Sequence, residues 1–369
     1  MAGLYIHIPF CKKRCLYCDF FSTTALERQE EYTEAVLKEW EARKNEAGEP
    51  IETVYIGGGT PSSLKIRDLS RICQAITSDL VREWTLEVNA GDADLDYFRQ
   101  LRQMGINRLS IGIQSFQDGL LRLIGRRHSA KEAIEAIRMA QKAGVDNISV
   151  DLMYALPTQT MEQWKADIET TLNLGIQHIS CYGLMYEDGT ALTRMVETGE
   201  LEAIDEETEN AMYDYLCARL NEAGFVHYEV SNFALPGFEA QHNSNYWNNT
   251  PYIGIGAGAH SYTRFDGKAV RSWNPSDLDT YIHGVLAQDL QRESETLTEA
   301  NLYNEQIMLG LRTSKGCRLR PSVDRRETIG RLIENGLIRE TDDGRIVATQ
   351  KGLHILNRII EDLMVEYEN

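Results

Sequence analysis

The chain has no apolar run approaching the ~18 residues of a membrane-spanning helix, and its opening MAGLYIHIPF lacks the basic segment and long apolar core of a secretory signal. These absences predict a cytoplasmic protein without a transmembrane segment, so that any contact with a bilayer is peripheral. Basic residues are also scarce: 38 Lys and Arg face 56 Asp and Glu, a formal net charge of -18. That balance excludes general affinity for nucleic acid or anionic membranes, and an anionic ligand must find a local basic patch. There is no internal repeat beyond strand and helix alternation, and no low-complexity tract. What the chain does have is length and apolar content, 369 residues at 42% hydrophobic, enough for a large core.

A disulfide framework is excluded as well, because seven cysteines is an odd number and a cytoplasmic chain keeps its thiols reduced. Four of them, Cys73, Cys181, Cys217 and Cys317, stand alone in apolar or mixed surroundings and read as small buried hydrophobes. The other three fall together in HIPFCKKRCLYCDFFS, where Cys11, Cys15 and Cys18 have a CxxxCxxC spacing. Structural zinc takes four protein ligands, and here only His7 is at hand to complete the set. An iron–sulfur cluster held by three thiolates would keep one iron open for a ligand. Both readings stand on spacing alone.

Apolar, β-branched segments alternate with helical patterns through the first half: LYIHIP (4–9), TVYIGGG (53–59), LEVNAG (86–91), RLSIGIQS (108–115), NISVDLMYAL (147–156) and HISCYGLMY (178–186). Between them, Leu69, Ile72, Ile76 and Leu80, and likewise Ile134 and Ile137, repeat at threes and fours. Ser129 with Glu132 and Thr160 with Gln163 read as capping boxes, and Gly144 and Gly175 as helix stops. Strict alternation of this kind predicts an α/β fold with a parallel sheet, open or closed into a barrel, whose chemistry lies at the C-terminal ends of the strands. The cysteines follow the first strand and the GGG of residues 57–59 the second, Glu87 lies in the third, Gln114 ends the fourth and Asp151 lies in the fifth, so polar residues of successive strands converge on one rim.

After residue 190 the alternation weakens, leaving a helix near 205–223 and a strand, FVHYEVSNFA. Beyond 295 the order helix, hairpin around Asp343–Gly344, helix suggests a small, mainly helical, winged-helix-like domain. The expected division is therefore 1–190, 191–294 and 295–369. GIGAGAHS (254–261) contains a formal GxGxxA, but with no clear strand before it and no helix after it a dinucleotide loop is rejected.

The CxxxCxxC loop, with Tyr17 just before its last cysteine, resembles the radical S-adenosylmethionine (SAM) superfamily. LYIHIPFC, IGGGTPS, LEVN, RLSIGIQSF, LIGR and DLMYALP, in that order, resemble the oxygen-independent coproporphyrinogen III oxidase family, over nearly the whole chain. The resemblance implies a partial (β/α)6 barrel with a [4Fe-4S] cluster on Cys11, Cys15 and Cys18, and SAM on the open iron. It implies SAM contacts at Gly57, Gly58, Gly59, Thr60, Glu87, Gln114, Arg126 and Asp151, with Tyr5 and Tyr17 beside the cluster. Lys12, Lys13 and Arg14 add a basic patch inside the cluster loop.

Within that family the chain is similar to the heme chaperone branch. The oxidase branch carries a further cysteine two residues after the third, where this sequence has Phe20, and an upstream arm, where only four residues precede Tyr5. HNSNYW (242–247) matches a word of the chaperone branch associated with heme. There the resemblance implies His242 as a source of an imidazole for iron and Tyr246 and Trp247 as stacking surfaces. The implied function is a heme chaperone that binds heme, the cluster and SAM, and delivers heme to respiratory membrane proteins. The alternative is an enzyme that decarboxylates the propionates of coproporphyrinogen III through SAM radical chemistry. Whether the chain is an enzyme at all is open at this point, as is a third reading, a structural metal protein without SAM.

Overall fold

The computed structural model of the chain describes residues 1–320 and 325–365. The winged-helix-like region expected over 295–369 therefore includes residues 321–324 and 366–369 that lie outside the described ones. Six strands, β1 (Ala2–Ile8), β2 (Ile51–Gly58), β3 (Glu83–Asn89), β4 (Arg108–Gln114), β5 (Asn147–Tyr154) and β6 (His178–Gly183), pair in sequence order, every pair parallel. Helices such as Gln29–Arg43, Ile66–Ile76, Ala130–Lys142 and Met161–Asn173 connect them. The capping boxes at Ser129/Glu132 and Thr160/Gln163 start the last two, and Gly144 and Gly175 follow their ends at positive φ, where glycine carries no Cβ penalty. Leu80 is the exception to the helical reading: its helix ends at Ile76, and Leu80 lies 56% exposed in the turn beyond.

Further strands extend both edges. On one side come β7 (Val226–Glu229) and β8 (Asn232–Ala234), with β8 antiparallel to β6. On the other, β9 (Tyr252–Ile255) runs parallel to β1, followed by β10 (His260–Phe265), β11 (Lys268–Trp273) and β12 (Glu293–Thr296). The single strand read in FVHYEVSNFA is thus a tight hairpin that reverses at Val230–Ser231. The sheet begins at β12 and ends at β7, so it curves without closing: a partial barrel.

GIGAGAHS does have a strand before it, β9, contrary to the expectation, but β10 follows and no helix, so the phosphate-loop geometry is absent. Its glycines answer to packing. A Cβ on Gly256 would stand 2.6 Å from the Tyr32 hydroxyl and 2.7 Å from the His7 carbonyl.

Alternation within the parallel strands has a consequence for the interior. Leu4, Ile6 and Ile8, Val54 and Ile56, Leu109, Ile111 and Ile113, and Ile148, Val150 and Leu152 are buried on the helix-covered face. The intervening positions point to the opposite, concave face. They form registered layers: Gly3, Thr53 and Glu83; then Tyr5, Tyr55, Thr85, Arg108 and Asn147; then Glu87, Ser110, Ser149 and His178; then Asn89, Gly112, Asp151 and Ser180. A parallel sheet covered on both faces reads as continuous apolar runs. Here one face is polar in every strand.

A second, smaller core joins the helix Glu299–Gly310 to the helices Arg326–Glu334 and Leu356–Leu363 and to the hairpin of β13 (Ile338–Glu340) and β14 (Ile346–Ala348). Among the described residues, no helix is long and apolar enough to cross a membrane.

Candidate functional site

The three thiols of the CxxxCxxC loop follow β1 directly, and none is in a disulfide. The loop is pinned on both sides: Cys11 N–H donates to the Thr23 carbonyl at 2.8 Å, and Leu16 N–H to the Ile124 carbonyl at 3.1 Å. Cys11 Sγ lies 3.3 Å from Thr60 Oγ1, and Arg126 Nη1 lies 3.7 Å from Cys15 Sγ while its Nη2 donates to the Gly112 carbonyl. Burial pushes the thiols of Cys11 and Cys18 up, and neighbouring cysteines add to both shifts. Loading a metal on thiolates there must release protons. Tyr17, its hydroxyl pKa raised by burial, stands beside Arg126 and Cys15.

Among the described residues no three His, Cys, Asp or Glu side chains gather around a point as a single ion would require. A cluster asks for one thiolate per iron, so its ligands need not converge on one point. His7 is not free to join them. Its Nδ1 meets the Tyr5 hydroxyl at 2.9 Å, its Nε2 meets the Phe21 carbonyl at 3.0 Å, and burial lowers its pKa to about 4.

Glycine is required beside the loop by close approach. A Cβ on Gly59 would stand 2.7 Å from the Pro9 carbonyl and 3.1 Å from Cys11 Sγ; on Gly58, at φ +115°, it would stand 2.5 Å from the His7 ring. On Gly57 it would run into Tyr55 and the Glu87 carboxyl. Glu87 accepts from the Tyr55 hydroxyl at 2.8 Å and from Gly58 N–H at 3.0 Å. Desolvation nevertheless raises its pKa to about 7, with nearby Asp151 adding to the shift. Asp151 accepts from Ser110 Oγ at 3.0 Å, and burial raises its pKa too. Gln114 ends β4 at φ 69°, a left-handed conformation uncommon outside glycine, and its side-chain Nε2 and Arg126 Nη2 flank Gly112. The structure thus brings Gly57 to Thr60, Glu87, Gln114, Arg126 and Asp151 to the same rim as the cysteines. Lys12 is committed elsewhere, to the side chain of Asp92 at 2.7 Å, which Arg127 also holds.

HNSNYW lies elsewhere. It forms the helix Gln241–Trp247, packed against the N-terminal ends of β1 and β2. His242 is 1% exposed, with its ring over the Gly3–Thr53 pair: Nδ1 meets Thr53 Oγ1 at 3.0 Å, and Nε2 meets the Tyr246 hydroxyl at 2.9 Å. Glu83 accepts from the backbone N–H groups of Gln241 and His242 at 2.9 and 2.8 Å. Burial first, and the charge of Arg108 second, lower the His242 pKa to about 3. The imidazole is therefore neutral, and as it stands both of its nitrogens are engaged, as those of His7 are. Five residue steps along β1 take Gly3 to Ile8 at the rim, about 16 Å along the strand. Tyr246 and Trp247 are half-buried.

Sequence reasoning missed Tyr55, which holds Glu87, Ser110, which holds Asp151, and the buried Arg108. Their signal was a polar residue at every second position of otherwise apolar strands.

This combination of an open β/α sheet with a three-cysteine loop over a carboxylate-lined rim defines a class, and comparison agrees: residues 5–171 match the radical SAM superfamily. A Lactococcus lactis protein named heme chaperone HemW is 36% identical, covering 98% of this chain and 97% of its own. A HemW of Mycobacterium tuberculosis is 32% identical over 98% of this chain and 94% of its own. A zebrafish protein named radical S-adenosyl methionine domain-containing protein 1, mitochondrial, is 34% identical over 100% of this chain and 88% of its own. The solved structure of coproporphyrinogen III oxidase HemN from Escherichia coli superposes with a TM-score of 0.82, covering 99% of this chain and 90% of its own at 23% identity, a likeness of fold. The chain belongs to the HemW family of radical SAM proteins. Membership of the superfamily implies a [4Fe-4S] cluster and SAM, and three undisulfided thiols on one pinned loop fit that group.

Proposed function

We propose that the protein is a heme chaperone, with the cluster on Cys11, Cys15 and Cys18, SAM along Gly57 to Thr60, Glu87, Gln114, Arg126 and Asp151, and heme at His242, Tyr246 and Trp247. Tyr5 and Tyr17 pack beside the cluster. The observation that carries the reading is near full-length similarity to proteins named heme chaperones, spanning the HNSNYW segment as well as the radical SAM portion. Cytoplasmic localisation, heme-requiring respiratory membrane proteins as recipients, and the division at 190 and 294 belong to the same proposal.

The bound cluster and SAM would supply one-electron chemistry or a conformational control. The chain's own residues have narrower tasks. Glu87 and Asp151, each held by a hydroxyl donor, offer carboxylates to the amino group of SAM. Arg126 lies where a carboxylate or a thiolate would be neutralised. His242 offers a neutral nitrogen once Tyr246 releases Nε2.

The oxidase alternative draws on the fold shared with HemN, and one experiment separates the two. Anaerobically reconstituted protein is incubated with SAM, a low-potential reductant and coproporphyrinogen III, with Cys15→Ser setting the background, and deoxyadenosine and tetrapyrroles are quantified together by mass spectrometry. The chaperone reading expects SAM binding and no decarboxylated porphyrinogen; product above background would make the protein an oxidase.

A further inference from the structure

Arg108 is 1% exposed, among the largest fully buried side chains of the molecule, and it stands on the polar concave face. No hydrogen bond or ion pair reaches its guanidinium among the described residues, and its Nε is buried without a partner. The same holds for the polar atoms on either side of it in register, Thr85 Oγ1 on β3 and Asn147 Oδ1 on β5. Three adjacent strands thus present unpartnered polar atoms in one layer.

The acids nearest in the fold are each committed elsewhere. Glu83 accepts from the backbone of residues 241 and 242, Glu87 from Tyr55 and Gly58, and Asp151 from Ser110. The histidines are also occupied: His178 Nδ1 meets Ser149 Oγ and its Nε2 meets the Tyr228 hydroxyl, both at 2.7 Å. Asp151 feels the Arg108 charge without forming an ion pair with it, and a buried guanidinium held by no hydrogen bond is costly to retain. A fork of N–H donors facing an enclosed polar layer is, however, what a carboxylate needs.

We propose that Arg108, flanked by Thr85 and Asn147, is a carboxylate-binding subsite inside the partial barrel. If the heme chaperone reading holds, on which this part rests, the carboxylate is a propionate of heme. The subsite lies one layer above the Thr53 pair that His242 covers and one layer below Glu87. A macrocycle ligated by His242 would find its counter-charge there, between the helix Gln241–Trp247 and the SAM rim. The Thr85 hydroxyl can donate to the same carboxylate, as can the Asn147 carboxamide when turned about its terminal bond.

The test titrates the cluster-loaded protein with heme and with heme dimethyl ester, which keeps the iron and ring but removes the negative charges. The parent should prefer heme by about tenfold or more, the size of a charge-assisted hydrogen bond. Arg108→Gln should bind both alike, and Arg108→Lys should keep part of the preference. Equal binding by the parent, or a preference that survives in Arg108→Gln, overturns the proposal. Arg108→Met checks for a purely structural role: its Tm and cluster content should equal or exceed the parent's, and a large loss would assign the arginine to the fold instead. If neither heme nor its ester binds the parent, the chaperone reading fails separately. A second arm, calorimetric melting with and without sodium succinate, then decides. Stabilisation seen in the parent and lost in Arg108→Gln keeps a subsite for a small carboxylate, and none in either overturns it.

Discussion

Glu87 shows how a single side chain records both its neighbours and its solvent. Two donors hold its oxygens, which favours the ionised form, yet desolvation outweighs them and its pKa rises to about 7. A carboxyl whose folded pKa lies above its unfolded value opposes folding wherever it must ionise. The penalty is absent below about pH 4.5, grows as pH rises to about 7 and is constant above. Glu87→Gln should therefore stabilise the ligand-free protein at pH 8 by at most about 3 kcal/mol, with the difference vanishing towards pH 4.5, while SAM affinity falls. Urea melts at both pH values, paired with SAM titrations, check this; a variant less stable at pH 8 would show the carboxylate to be a net structural asset. Glu87, Gln114 and Asp151 were legible in the sequence because each sits at or near the C-terminal end of a strand in a recognisable word. Arg108 and Thr85 were not, since one polar residue in RLSIGIQS or WTLEVN says nothing of its cross-strand neighbours until register is known.

At the scale of elements, the parallel strands and their capped helices could be read from periodicity and caps, whereas FVHYEVSNFA could not be split: nothing at Val230–Ser231 carries the Gly or Pro signal of a turn. The placement of HNSNYW was equally hidden. Its helix packs at the N-terminal end of the sheet, about 16 Å from the cysteine loop, where Tyr246 of the helix and Thr53 of β2 hold the two nitrogens of His242. On the proposed reading, heme ligation at Nε2 would compete with the Tyr246 hydroxyl. Tyr246→Phe removes that competitor and should tighten heme binding about two- to tenfold, the worth of one net hydrogen bond. His242→Ala should weaken binding and change the heme absorption spectrum while leaving the cluster intact. Weaker binding in Tyr246→Phe would instead make the tyrosine itself a heme contact, and an unchanged spectrum in His242→Ala would remove the histidine from the heme site.

Across the whole molecule, the two largest cores are joined by Leu353, which packs against both, and by a few polar links. Backbone bonds cross from Val230 N–H to the Arg312 carbonyl at 2.8 Å and from Ser314 N–H to the Tyr228 carbonyl at 3.0 Å, and Gln350 and His354 reach Asp214 at 2.8 and 3.0 Å. Polar links of this kind, partly at the surface, each contribute little. The smaller core rests on Tyr303, Ile307, Leu332, Ile359, Ile360 and Leu363, all buried together. Ile359, fully buried, has no polar role, so Ile359→Ala should act only by cavity, at a cost of about 2–5 kcal/mol. If the two cores open independently, hydrogen exchange should quicken across residues 299–363 while β1 to β6 keep their protection and cluster content is unchanged. If the polar links couple the cores into one unit, exchange should quicken in both, and cluster loading should fall with it. Retained cluster beside a loosened C-terminal core would show that the smaller core can shift without disturbing the site that the cysteines and the strand ends build.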